Sequence, residues 1–278
     1  DTNAGSRNDI EGPLVSEING LFRDKTWPRF NLAISDVPVP NDLIFDTVAA
    51  DGTFRDAAAG STNPVLLALG ALSGASTTAA IDIPYSGGLT AASVVGSPFL
   101  TNPDGSLLKA NGNSQLGIPD TPIPNPFQNV FLIELDYGSG DPLTGFSAAE
   151  PPTIPLAVQF QTLSALGAQI QAAVAASDFA TVQALTPTAI AVANKINAEV
   201  DMLPYTATVL DMNGTTVLRI QPKKPLKPRV RYVVATTDEV LDASGIATSQ
   251  DPAYYNLSAG LTAPSAALRP AQALVTGL

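Results

Sequence analysis

The chain has 278 residues, with no histidine and no cysteine. A Ser-His-Asp or Cys-His catalytic set, or a zinc site with His or Cys ligands, therefore cannot be assembled from it. With 45% hydrophobic residues, 14% charged residues and a net charge of −11, it is apolar enough to fold around a core and too acidic for general nucleic-acid binding.

Residues 1–29 open with the polar stretch DTNAGSRNDIEG and contain no apolar signal core. They read as a leader or tether. From Phe30 onward, short apolar runs alternate with Pro, Gly, Asn and Asp, the pattern of a sandwich of antiparallel strands. Trp27, with Phe22 and Phe30, forms either an exposed apolar patch or a plug for the end of that sandwich.

The spacing predicts strands at Leu43–Asp46, Ala79–Pro84, Ser93–Val95, Val130–Asp136 and Leu156–Phe160. Later strands are expected at Ala207–Asp211, Thr216–Gln221 and Arg229–Thr237. Between the third and fourth, Ile118–Pro126 is proline-rich and expected to be extended, either as a rigid loop or as a ligand for a proline-reading domain. Asn213-Gly214 supplies the positive φ of a tight hairpin turn between two strands.

The run from Pro151 to Ser177 has no charged side chain. Its glutamines and leading prolines argue against a membrane span and for a half-buried helix. Leu163, Leu166, Ile170 and Val174 fall at helical spacing. Ser177 is expected to cap a short second helix with Phe179, Val182 and Leu185. Thr186-Pro187 is expected to start a third, lined by Val192, Ile196, Val200 and Leu203. The expected fold is mainly β, an Ig-like antiparallel β-sandwich over residues 30–260 with an α-helical insert at about 161–203.

Candidate chemistry is sparse. No G-x-S-x-G elbow is present, and the Ser73 and Ser139 glycine clusters lack its spacing. Glu134 and Asp136 lie two apart on a strand and share a face. They could act as a carboxylate pair, or they could be a solvated strand edge. Asp238, Glu239 and Asp242 stand near a glycine turn, and Asp211-Met212-Asn213-Gly214 begins like a calcium loop. Calcium is a more credible ligand for these acids than a substrate, although Asp and Asn also build turns without metal. Lys223, Lys224, Lys227, Arg229 and Arg231 form a basic run with interleaved prolines. It reads either as an anion-binding stripe or as a protected sheet edge.

Three blocks of sequence resemble the N-terminal domain of the bacterial virulence-factor lipases, an extracellular or lipid-anchored family. The first is Phe30-Asn31 through Pro38-Val39-Pro40-Asn41-Asp42-Leu43-Ile44-Phe45, with Ala50-Asp51-Gly52-Thr53-Phe54. The second is Leu69-Gly70-Ala71-Leu72-Ser73-Gly74-Ala75-Ser76-Thr77-Thr78, with Ile81 to Tyr85 beyond. The third is Leu218-Arg219-Ile220-Gln221-Pro222-Lys223-Lys224-Pro225-Leu226-Lys227-Pro228, then Tyr232-Val233-Val234 and Asp242-Ala243-Ser244-Gly245.

The resemblance implies a non-catalytic module, with no catalytic or cofactor-binding residue, that supports a downstream α/β-hydrolase domain. Residues 261–278 would then be the start of the linker to it, and the protein would be secreted or anchored at a bacterial surface. Separately, the charge-free run before Asp178 leads to the expectation that the insert packs on the hydrolase or dips into a lipid surface. The alternatives are a stand-alone Ig-like adhesion or binding module and an enzyme that works through carboxylates alone.

Overall fold

The structure, a computed structural model, describes residues 24–30, 38, 62, 76–136, 152–200, 205–228 and 230–259. The strand expected at Leu43–Asp46, most of the first motif block, Phe22, Leu203, Arg229 and the expected linker lie outside these residues. In chain order the elements are β1 (Ile81–Pro84), β2 (Lys109–Ala110), β3 (Thr121–Pro122), β4 (Val130–Leu135), α1 (Pro155–Ala175) and α2 (Phe179–Val200). There follow β5 (Tyr205–Met212), β6 (Thr215–Pro222), β7 (Arg231–Thr236) and α3 (Pro252–Ala259). Within the described residues the strands form three antiparallel sheets, β1-β6-β5, β2-β3 and β4-β7. Among the described residues the helices hold more of the chain than the strands. The fold is therefore mixed α and β, with substantial strand content, rather than mainly β.

The β5–β6 hairpin forms where the sequence places it. Met212 pairs with Thr215 across a two-residue turn. Asn213 and Gly214 have φ of 56° and 82°, as a primed turn demands. Asp211 Oδ1 accepts the Gly214 amide at 2.8 Å. Beyond the turn, Leu218, Ile220 and Pro222 are buried while Arg219 and Gln221 are less so, the two-residue period of a strand with one covered face.

β1-β6-β5 and β4-β7 contribute to one buried cluster. Ile83, Leu218, Ile220 and Tyr205 come from the first sheet, Val130 and Leu132 from the second, and Tyr85 and Val240 from flanking turns. Tyr85 is 1% exposed. Its hydroxyl has no well-formed hydrogen bond. Burial raises its pKa, and the nearby Thr236 side chain offsets part of the rise. Tyr85→Phe is therefore expected to leave stability unchanged or raise it by up to about 1 kcal/mol. Urea unfolding checks this. A loss larger than that would mean the hydroxyl has a real partner.

Two expected strands take other forms. Around the strand expected at 93–95 the chain makes a single 3-10 turn, Ala91–Ser93, and Val94 beyond it is extended but joins no ladder. Ser93 Oγ donates to Thr90 O at 2.8 Å, and Asn129 claims the backbone that a neighbouring strand would have used. The Asn129 side chain accepts Val95 N at 2.8 Å and donates to Ser93 O at 2.6 Å. At 156–160 the chain is helical. Pro155 sits in the first turn of α1, where its missing N–H costs nothing. Leu156, Phe160, Leu163 and Ile170 then all pack in one cluster, so the insert begins at 155 instead of 161.

The insert has two helices where three were expected. Ser177 does not cap the second. With φ of 58°, it closes α1: its amide donates to Val174 O at 3.0 Å and the Asp178 amide to Ala173 O at 2.8 Å, the paired bonds of a Schellman end. Asp178 is the real N-cap, accepting Thr181 N at 3.1 Å and Thr181 Oγ1 at 2.6 Å. α2 also runs straight through Pro187. The Thr186 hydroxyl bonds Val182 O at 2.7 Å. Val182, ahead of the proline, and Ala189, Ala193, Ile196 and Val200, beyond it, share one buried cluster with Leu163, Ile170 and Ala173, which keeps the turns on both sides helical. Val174, expected on the inner face, is half exposed; Ala173 takes its place.

This helical core rests on the 99–118 segment through Phe99 and Ile118. Lys109 Nζ donates to Asn197 Oδ1 at 2.8 Å, and Asn197 Nδ2 donates to Asp120 O at 3.0 Å. The proline-rich segment is tied down within this layer. Its Thr121 and Pro122 are buried and pair with Lys109 and Ala110. That leaves those residues unavailable as a free polyproline ligand.

Candidate functional site

The acidic candidates do not converge. Glu134 projects from β4 and binds Lys227, whose Nζ lies 2.8 Å from Oε2 and 3.1 Å from Oε1. Asp136 is exposed at the strand end, where its backbone exchanges two hydrogen bonds with Thr153, at 2.9 and 2.8 Å. The pair therefore splits in role: one carboxylate is neutralised by a lysine, and the other marks the exit toward α1.

The Glu134–Lys227 pair belongs to a polar junction between the helices and the β4-β7 sheet. Partial burial opposes the Lys227 charge. The hydrogen bond and charge of Glu134, with the charges of Glu199 and Tyr232, outweigh it and raise the ammonium above its ordinary pKa. The Tyr232 hydroxyl accepts the Lys227 amide at 3.2 Å. Burial raises the Tyr232 pKa, the bond from Lys227 works against this, and the Glu134 charge adds to it. From the helices, Gln159 Nε2 donates to Glu199 Oε2 at 2.8 Å. Gln159 is buried in a helix face that is otherwise apolar, and its Oε1 has no partner. Sequence reasoning missed Gln159 and Glu199, because they lie forty residues apart on two helices and neither carries a motif.

The calcium candidates Asp238, Glu239 and Asp242 do not form a ligand set. Asp238 and Glu239 are exposed, whereas Asp242 is 6% exposed. Asp242 Oδ1 accepts the amides of Ser244 at 2.8 Å and Ile246 at 2.9 Å. Gly245, with φ of 78°, completes that turn, and Thr90 Oγ1 donates to Asp242 O at 2.6 Å. This carboxylate is occupied as a turn former, the metal-free use of Asp. Asp211 does the same for the hairpin. Among the described residues, no three or more acidic side chains are grouped as a metal would need.

In the basic run, Lys223 and Lys224 are exposed in the β6–β7 connection, while Lys227 is committed to Glu134. Arg231 is the first residue of β7, and Pro225 and Pro228 lie with the lysines in the connection before it. Trp27 is half-buried. Its amide bonds Ser86 Oγ at 3.0 Å and its carbonyl accepts Ser86 N at 2.9 Å, which fixes it to the end of β1. Phe30 is fixed likewise: its amide donates to Asp251 Oδ2 at 3.0 Å, and its ring meets Tyr254 edge-on at 5.4 Å. The end of the expected leader is therefore bonded into the fold.

An open depression of about 420 Å³ lies beside Gly112, Ser114, Ile118 and Asp120. Asp120 Oδ1 there accepts the Gly112 amide at 2.7 Å. No nucleophile–base pair lines it. Phe127 and Phe179 are the most exposed large apolar side chains among the described residues, at 71% and 72%. No described helix is long and apolar enough to cross a membrane. Compared with protein-family models, curated proteins and solved structures, the chain gives no match.

Proposed function

We propose that the chain is the non-catalytic N-terminal module of a secreted or surface-anchored bacterial lipase or esterase, supporting or positioning an α/β-hydrolase domain. The observation that carries this reading is the bonding between two of its motif blocks. Leu226, in the Pro-Leu-x-Pro block, donates its amide to Thr77 O at 2.9 Å. Gln221 of the same block donates its side chain to Thr78 O at 3.1 Å. Blocks far apart in sequence thus meet where the chain enters β1 and leaves β6, as parts of one supporting module would. In this reading, β1-β6-β5 and β4-β7 are the facing layers of an Ig-like sandwich. Their shared cluster of Ile83, Val130, Leu132, Tyr205, Leu218 and Ile220 supports that assignment. The helical insert, with its charge-free first helix, would face the hydrolase domain or a lipid surface. No cofactor is needed for such a role.

A stand-alone adhesion or binding module is the second reading. The exposed Phe127 and Phe179 favour it, since rigid aromatics anchor protein contacts well. The test is ester hydrolysis on short- and long-chain p-nitrophenyl esters, with this chain and the full gene product side by side. A silent chain and an active full product are expected. Turnover by this chain alone would overturn the non-catalytic role. A silent full product would replace the lipase reading with the binding module.

A further inference from the structure

We propose that Asn213 is a site of spontaneous deamidation and that Asp211 sets its rate. In an Asn-Gly step the glycine nitrogen can attack the asparagine Cγ. The new bond from that nitrogen to Cγ closes a five-membered imide. The bond between Cγ and Nδ2 breaks, and Nδ2 leaves as ammonia with the proton from the glycine nitrogen. Water then opens the imide. Cleavage at the main-chain carbonyl gives isoaspartate, whose backbone is longer by one methylene. Cleavage at the other carbonyl, that of Cγ, gives aspartate.

Among the described residues the geometry singles out one step of this kind. Asn213 and Gly214 are both exposed at the hairpin tip. A Cβ built on Gly214 would find nothing within 4 Å, so neighbouring groups do not hinder ring closure. Asp211 Oδ1 holds the attacking amide at 2.8 Å, and the Met212–Thr215 pair closes the turn below it. A carboxylate acceptor makes that bond strong. It keeps the nitrogen protonated and fixes its plane within the turn.

Asn111-Gly112 is an internal comparison. It has the same residue pair, a similar φ of 67° at the asparagine and the same type of latch, Gly112 N to Asp120 Oδ1 at 2.7 Å. There, however, the backbone is boxed in. A Cβ on Gly112 would stand 2.6 Å from Asp120 N and 2.8 Å from Ile118 O. Pairing of Ala110 with Thr121 and of Asn113 with Ile118 holds both flanks. The nitrogen cannot swing onto Cγ without breaking that pairing. Deamidation at Asn213 has a structural consequence: a new charge beside Asp211, or an extra methylene in the two-residue turn that sets the β5–β6 register.

The test is incubation of the whole protein in mildly alkaline buffer, followed by peptide mapping for the amide-to-acid mass change and for isoaspartate. In the wild-type protein Asn213 is expected to convert several-fold faster than Asn111. Asp211→Ala should accelerate Asn213 several-fold further and leave Asn111 unchanged. Asp211→Asn, which keeps the size and a neutral acceptor, should fall between. If Asp211→Ala disturbs the fold, Asn111 will also accelerate, and Asp211→Asn then carries the test. Equal rates at Asn213 and Asn111 in the wild-type protein, or no acceleration at Asn213 in a variant with Asn111 unchanged, would overturn the proposal.

Discussion

Leu218→Ala lowers the unfolding free energy by about 2–5 kcal/mol, the usual cost of emptying a closed core position. Leu218 is fully buried. It sits on β6, the central strand of β1-β6-β5, and shares its cluster with Val130 and Leu132 of the other sheet. The cavity would therefore open between two sheets that are each pinned by their own ladders, and little collapse can fill it. Against a total stability of about 5–15 kcal/mol for a typical domain, the loss is large. Thermal unfolding followed by Trp27 fluorescence and by helical circular dichroism measures it. Trp27 is bonded to the end of β1, so its signal reports on the β layer, while the dichroism is dominated by α1 and α2. A loss below about 1 kcal/mol would mean that Leu218 is not packed as described.

Tyr205→Phe costs about 1–3 kcal/mol near neutral pH, because it leaves a buried donor without a partner. The reason lies in the ladder phase. Thr237 N donates to Asn129 O at 3.0 Å. Residues opposite each other alternate between bonded and non-bonded pairs, so Val130 and Leu132 point their backbone groups away from β7. The Tyr205 hydroxyl meets them there. It donates to Val130 O at 2.9 Å, accepts the Leu132 amide at 3.3 Å and accepts Gln128 Nε2 at 2.6 Å. One phenol thus serves the outer edge of β4 where a third strand would otherwise pair.

The same residue gives a pH dependence. Burial pushes the Tyr205 pKa up from 10.0 to about 12, against the opposing bonds from Leu132 and Gln128. The folded state therefore holds this proton more tightly than the unfolded state does. The associated stability, about 3 kcal/mol, is fully present below pH 10 and is lost as the pH rises through 12. Urea unfolding of the wild-type and Tyr205→Phe proteins across that window checks the sign. The stability gap between them should narrow as the pH rises. A gap that stays constant would show that Tyr205 does not ionise in the native state in this range.

Local chemistry made several elements legible in the sequence. The β5–β6 hairpin was readable because Asn-Gly relieves the positive φ its turn requires, whatever surrounds it. β4 and β7 were readable from apolar runs of strand length, and their observed bounds fall within the expected ones. The helical segment was readable from Leu163 and Ile170 at helical spacing. Its extent was not. Leu156–Phe160 suits either a strand or a helix, and contact with Leu163 and Ile170 in the helical core decided between them. Thr186-Pro187 has the form of a helix start, yet packing on both sides of the proline outweighs the one backbone bond it removes. The Ser93–Val95 strand failed because a single residue, Asn129, satisfies the backbone groups that a strand would have offered.

The candidate site divides along the same line. The absence of histidine and cysteine is a property of composition, so it alone removed whole classes of chemistry. What each carboxylate does is a property of neighbours. Asp242 could have been a metal ligand or a turn former, and the amides of Ser244 and Ile246 make it the latter. Glu134 could have paired with Asp136, and a lysine ninety-three residues away takes it instead. Residue type and spacing set which groups can carry charge and which turns can form. Only the tertiary structure, by bringing distant donors within hydrogen-bond reach, decided which of those charges were already spent on holding the fold together.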